Sequence, residues 1–182
     1  MLIRRETDRD VAAIRAVTVA AFRRPRHSPE RVLPEGQVPD EAPLVDGLRA
    51  SDAWLPPLSM VAVTVTDDEE IIGHVVCTRG HVDGEPVLGL GPVSVHPDHQ
   101  ARGVGSALMH TVLGAADALG EPLVALLGDP EYYRWFGFRK STVYGITPPE
   151  PGWRDHFQAR PLSGYTPGLR GTFRYPAPFD GV

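Results

Sequence analysis

Residues 88–120, LGLGPVSVHPDHQARGVGSALMHTVLGAADALG, constrain the fold more than any other part of the chain. They read as a strand over 88–95, a turn carrying His96, Pro97 and His99, and a long amphipathic helix. Val104, Leu108, Thr111/Val112, Ala115 and Leu119 recur at the three-and-four spacing of one buried helix face. Gly120 follows the last periodic residue and suits a left-handed C-terminal cap. A strand feeding such a helix through a glycine-rich turn implies helices packed on a sheet.

The turn is spaced Q-x-x-G-x-G through Gln100, Gly103 and Gly105. A helix N-terminus has unpaired N–H groups and a partial positive charge. Glycines let backbone approach a ligand closely. Gln100 and Arg102 add donors beside them. The expected result is an anion cradle suited to a pyrophosphate. Pro92 cannot donate to a β-ladder, so it predicts a bulge or a break in strand pairing. Beyond it, backbone groups of Val93, Ser94 and Val95 are expected to be free of the sheet. A diphosphate cradle beside spare strand groups suits a long, thin ligand with amides, such as coenzyme A.

The chain has 182 residues, enough for one domain with a substantial core, and nothing divides or repeats it. We therefore expect a single domain over 1–182. A single cysteine, Cys77, excludes an internal disulfide. A net charge of −5 offers no basic face for nucleic acid and favours cationic partners such as amines. No apolar run reaches the ~18 residues of a membrane span. The first ten residues, MLIRRETDRD, carry charge where a signal peptide is apolar. A cytoplasmic protein is expected, as a monomer or homodimer.

Around the central stretch, the order of elements reads β-α-α-β-β-β-α-β-α-β-β. A first strand covers 1–5. Thr7 or Asp8 caps a helix with Val11, Ile14, Val17/Thr18, Ala21 and Phe22 on one face. Residues 23–39 form a proline-rich connection with at most a helical turn over 29–33. A second helix covers 40–50, with Leu44, Val45 and Leu48 inward. Strands follow over 59–66 and 70–79, with a turn at 67–69 between them. Asp83-Gly84 centres a hairpin into the Pro92 strand. Residues 122–127 are a buried strand. Asp129 caps a short helix, with Pro130 first and Gly137 closing it. Strands are then expected over 138–147 and 170–175, with a strand or an extended segment over 156–162.

Three features carry a family resemblance. V-S-V-H-P-x-x-Q-x-x-G-x-G before a long helix resembles the acyl-CoA-binding motif of the GNAT superfamily of N-acetyltransferases. The order of elements is similar to the GNAT fold. Y-Y-x-x-F-G-F at 132–138 and the C-terminal Y-P-x-x-F at 175–179 resemble a bacterial acetyltransferase subgroup. The resemblance implies a single-domain α/β (α+β) fold. Its sheet is mixed and mostly antiparallel, with about seven strands flanked by helices and splayed at strands 4 and 5. It implies acetyl-CoA as co-substrate, no metal, and a primary amine as acceptor. Acyl-CoA would lie on Val93, Ser94 and Val95 and on Gln100, Ala101, Arg102, Gly103, Val104, Gly105 and Ser106. The superfamily often carries a tyrosine four residues before the glycine of the G-F pair, here Tyr133. That makes Tyr133 the expected acid for the departing thiolate, with Tyr132 as the lesser candidate.

Many members carry a glutamate base in the fourth strand, but residues 88–92 contain no carboxylate. His96 and His74 are candidate bases. Ordered water, or an amine that arrives neutral, needs no such residue. Two other readings stay open: a non-catalytic acyl-CoA sensor with the same cradle, and a nucleotide-phosphate protein. The second lacks both G-x-x-x-x-G-K-[ST] and G-x-G-x-x-G.

Overall fold

The computed structural model describes residues 1–23, 33–34, 36–66 and 69–180. The expected helical turn at 29–33 and turn at 67–69 lie largely outside them. The elements are β1 (Leu2–Arg5), α1 (Val11–Arg23), α2 (Glu41–Arg49), β2 (Trp54–Val63), β3 (Ile71–Val82) and β4 (Glu85–Val95). They continue with α3 (Val104–Ala118), β5 (Leu123–Leu127), α4 (Pro130–Tyr133), β6 (Arg139–Lys140), β7 (Ile146–Thr147), β8 (Phe157–Pro161) and β9 (Gly171–Arg174).

Among the described residues the strands form one nine-stranded sheet, with the main path β1-β2-β3-β4-β5-β8-β6. Only β4 and β5 on that path run parallel, and β9 pairs with both β3 and β7. The sheet is thus mixed and mostly antiparallel, as expected. Asp83 and Gly84 both take positive φ, 46° and 94°, and close the β3–β4 hairpin.

Strand alternation splits the core between the two faces. Met60, Ala62, Val75, Leu88 and Leu90 meet Leu108 and Val112 of α3 on one face. Val61, Val63 and Ile71 meet Ile14 and Val17 of α1 and Val45 of α2 on the other. The buried stripe of α3 ends on Ala116, one position past the expected Ala115, and Leu119 is exposed. Gly120 takes φ 77°, the left-handed cap its position predicts.

Two strands differ from expectation. The strand expected over 138–147 pairs only at its ends, as β6 with β8 and β7 with β9. Between them Ser141–Tyr144 winds into a 3-10 turn closed by Gly145 at φ 74°. The Ser141 hydroxyl donates to the Ile146 carbonyl at 2.9 Å and stabilises that turn. In addition, β2 begins at Trp54 rather than 59, because its register shift between Trp54 and Ser59 takes up Pro56 and Pro57 outside the ladder.

Candidate functional site

Pro92 disturbs β4 as the sequence predicts. The β3–β4 register shifts between Val75 and Cys77, leaving one extra residue on β4 at Gly91 and Pro92, which are joined by a cis peptide bond. On the other side of β4, pairing with β5 consists of Leu88 with Val124 and Gly89 with Ala125. Past that pair β4 and β5 part, which opens the expected splay.

The alternation of an antiparallel ladder decides which backbone groups face that opening. The His96 N–H donates to the Ile72 carbonyl at 2.9 Å, so Ser94, two residues back and opposite His74, shares its orientation toward β3. Val93 and Val95 therefore point their N–H and C=O groups toward the splay. This corrects the expectation for Ser94. Its backbone belongs to the ladder, and its hydroxyl lies 3.1 Å from the Thr18 hydroxyl of α1.

Beyond β4 the chain makes a 3-10 turn at Pro97–His99 and enters α3. Ala101 takes φ 57° and Gly103 φ 82°. A Cβ at Gly103 would meet no atom within 4 Å, so backbone conformation rather than space demands glycine there. The Ala107 N–H makes the bond to the Gly103 carbonyl, at 2.9 Å. The N–H groups of Val104, Gly105 and Ser106 thus precede the helix ladder and are oriented as an anion site requires. Gln100 works differently from expectation. Its side-chain amide donates to the Val95 carbonyl at 3.0 Å, so it ties the turn to β4.

Both tyrosines of α4 face this region, in different ways. Asp129 caps α4 by accepting from the Glu131 N–H at 2.9 Å, with Pro130 in the first turn, as the sequence predicts. Tyr132 reaches the cradle: a Cβ on Gly105 would lie 3.0 Å from its hydroxyl. Burial raises the Tyr132 phenol, and a hydrogen bond with Ser106 opposes that. Tyr133 turns to the end of β5, where a Cβ on Gly128 would overlap its ring. The two rings meet edge-on at 4.9 Å. The Tyr133 hydroxyl has no hydrogen-bond partner among the described residues. Burial pushes the Tyr133 phenol well above its usual range, and Tyr132 and Asp129 add to the rise.

Neither histidine is arranged as a base. The His96 Nδ1 accepts from the Asp98 N–H of its own turn at 3.3 Å. His74 is fully buried under α1 and α2. Its Nε2 lies 2.9 Å from the Ser59 hydroxyl and 3.3 Å from Glu6 Oε2, while Nδ1 is buried without a partner. Burial lowers the His74 pKa against the pull of Glu6, so the ring is neutral. Glu6 also accepts from Arg49 Nε at 2.8 Å and from the Ser59 hydroxyl. Burial alone would raise the Glu6 carboxyl, but hydrogen bonds from His74, Arg49 and Ser59 win and hold it at about 2. This cluster joins positions 6, 49, 59 and 74, which no sequence spacing connects. It is a buried brace between β1, α2, β2 and β3.

Among the described residues no group of three or more His, Cys, Asp or Glu gathers to hold a metal ion. No helix there is long and apolar enough to cross a membrane.

Known proteins share both sequence and fold with this chain. Residues 29–138 match the model of the Acetyltransferase (GNAT) family. The uncharacterized N-acetyltransferase YhbS of Escherichia coli strain K12 is 33% identical over 126 residues, 68% of this chain and 72% of that protein. The crystal structure of Escherichia coli YhbS in complex with CoA superposes with a TM-score of 0.81 at 27% identity, covering 98% of this chain and 91% of that one. A GNAT family acetyltransferase from Brucella melitensis, solved with acetyl-CoA, gives a TM-score of 0.74 at 33% identity over 98% of this chain and 97% of the other. The chain belongs to the GNAT family of acetyltransferases.

Proposed function

We propose that this protein is an N-acetyltransferase that moves an acetyl group from acetyl-CoA to a primary amine by direct attack. The observation that carries the reading is the open splay between β4 and β5 beside the glycine turn into α3. The relatives solved with CoA and acetyl-CoA support the choice of ligand. In this reading the pyrophosphate lies on the turn from Ala101 to Ser106, with Arg102 beside it. The pantetheine amides bond to the backbone of Val93 and Val95. Gln100 and Ser94 position these groups without touching the ligand.

In the transfer, the amine lone pair forms a C–N bond with the thioester carbonyl carbon, and the C–S bond then breaks. Backbone N–H groups at the splay stabilise charge on the carbonyl oxygen. Tyr133 gives its proton to the departing thiolate. Its hydroxyl, without a hydrogen-bond partner among the described residues, is protonated at neutral pH and holds that proton when the thiolate forms. An exposed thiolate has a pKa of ~8.5, and the desolvation that raises the phenol raises a buried thiolate too. With His74 and His96 otherwise engaged, the amine arrives neutral or loses its first proton to water; once the C–N bond has formed, the nitrogen releases a further proton through water, which restores the Tyr133 phenol.

The chain is further proposed to act as a single domain over 1–182, in the cytoplasm, as a monomer or homodimer, without nucleic-acid or membrane partners. A thiol-release screen of polyamines, amino acids, aminoglycosides and peptides tests the reading. Amine-dependent CoA release with at least one class is expected. Tight acetyl-CoA binding with no release for any amine would favour a sensor instead.

A further inference from the structure

Tyr175 follows β9 directly, and the acyl-transfer reading leaves it without a role. A Cβ on Gly89 would lie 2.8 Å from its ring, so the ring rests on β4 backbone where β4 and β5 make their last pair. Its phenol oxygen lies beside the backbone of Leu127, at the end of β5. The ring therefore lies across the closed end of the splay. It does so from the face opposite α3, because Leu88 and Leu90 pack toward α3 and Gly89 between them points away.

The ring is held firmly. It meets Phe173 edge-on at 4.7 Å and Phe179 at 4.3 Å. Pro178 packs against Gly47 of α2, 3.4 Å from where a Cβ would stand, and anchors the segment.

The geometry points to Tyr175 as a stop that limits the donor to a short acyl chain. This inference rests on the acetyl-CoA reading of the same cleft. A thioester along Val93 and Val95 has its acyl carbons next to the narrowing end of the splay, against the Gly89–Ala125 pair and the Tyr175 ring. A ring clamped by two other aromatics and a helix contact does not swing aside cheaply. A longer chain has to displace it or leave the cleft.

Calorimetric titration with CoA, acetyl-CoA, butyryl-CoA and hexanoyl-CoA tests this without an acceptor. Wild-type protein is expected to bind hexanoyl-CoA at least about tenfold more weakly than acetyl-CoA, the scale on which a pocket discriminates by a few methylenes. Tyr175→Ala should bring the two within about threefold, and Tyr175→Phe should keep the wild-type ratio. The ratio within one protein cancels any general weakening, and the wild-type series stands alone if Tyr175→Ala does not fold. Equal affinity along the wild-type series, or an unchanged ratio in folded Tyr175→Ala, overturns the role of Tyr175 while tight CoA binding leaves the cradle reading intact. Failure of CoA itself to bind overturns both.

Discussion

The Gln100 side-chain amide donates to the Val95 carbonyl at 3.0 Å and ties the turn before α3 to the last residue of β4. The two surfaces proposed for pyrophosphate and pantetheine therefore move as one. Gln100→Ala removes the donor and should weaken acetyl-CoA binding about five- to tenfold, the equivalent of one hydrogen bond. Gln100→Glu, which sets a carboxylate against the carbonyl, should weaken it further. Calorimetry with circular dichroism checks this, and unchanged affinity in both variants would remove the tie from the account.

The two tyrosines of α4 make separable predictions. The Tyr132 hydroxyl lies at Gly105 and bonds with Ser106, whereas the Tyr133 hydroxyl has no described partner. Tyr133→Phe should lower kcat by ~10²–10⁴ with little change in acetyl-CoA affinity. Tyr132→Phe should act mainly on affinity. An acceptor found by thiol release is needed first. Near wild-type turnover in Tyr133→Phe, with chemistry rate-limiting, would withdraw the acid role.

Stability should fall in acid in two stages. His74 stays neutral in the fold because burial lowers its pKa, whereas the unfolded chain takes up that proton from about pH 6.5 downward. Its contribution is thus complete above that pH and begins to be lost below it. Glu6 is held at about 2 in the fold and returns to ~4.3 when unfolded. Its contribution is present above about pH 4.3 and is lost as pH falls toward 2. Asp10, held at about 2 chiefly by Arg4, acts in the same direction. Urea midpoints should fall between pH 7 and 5 and more steeply below pH 4.5. Glu6→Gln should cost ~1.5–3 kcal/mol at pH 7, because it removes the buried carboxylate that Arg49, Ser59 and His74 share and leaves Arg49 only Asp46, at 3.5 Å, and should flatten the lower stage. A Glu6→Gln profile parallel to wild type would contradict this.

Local signals made much of this fold legible. The helix stripe after Gly103, the Asp83-Gly84 hairpin and the Asp129-Pro130 cap each depend on residues within a few positions. Pro92 marked the strand disturbance because a missing N–H is a local fact. Long-range partners were not legible. Residues 138–147 read as one strand, yet a neighbour is present only for each end, and Ser141 finds the Ile146 carbonyl instead. Ser94 looked free until the His96–Ile72 bond fixed the ladder's phase. The Glu6, Arg49, Ser59 and His74 brace and the seat of Tyr175 on Gly89 join positions that only the closed sheet brings together.

The most direct measurement is calorimetric titration of acetyl-CoA into wild-type protein and Gly103→Val. Gly103 holds φ 82° at the start of α3, a conformation a β-branched residue cannot take without strain. The account predicts saturable one-to-one binding to wild-type protein and at least tenfold weaker binding to a folded Gly103→Val, the worth of ~1.4 kcal/mol. Equal affinity in both proteins, or no binding by wild type, would contradict it.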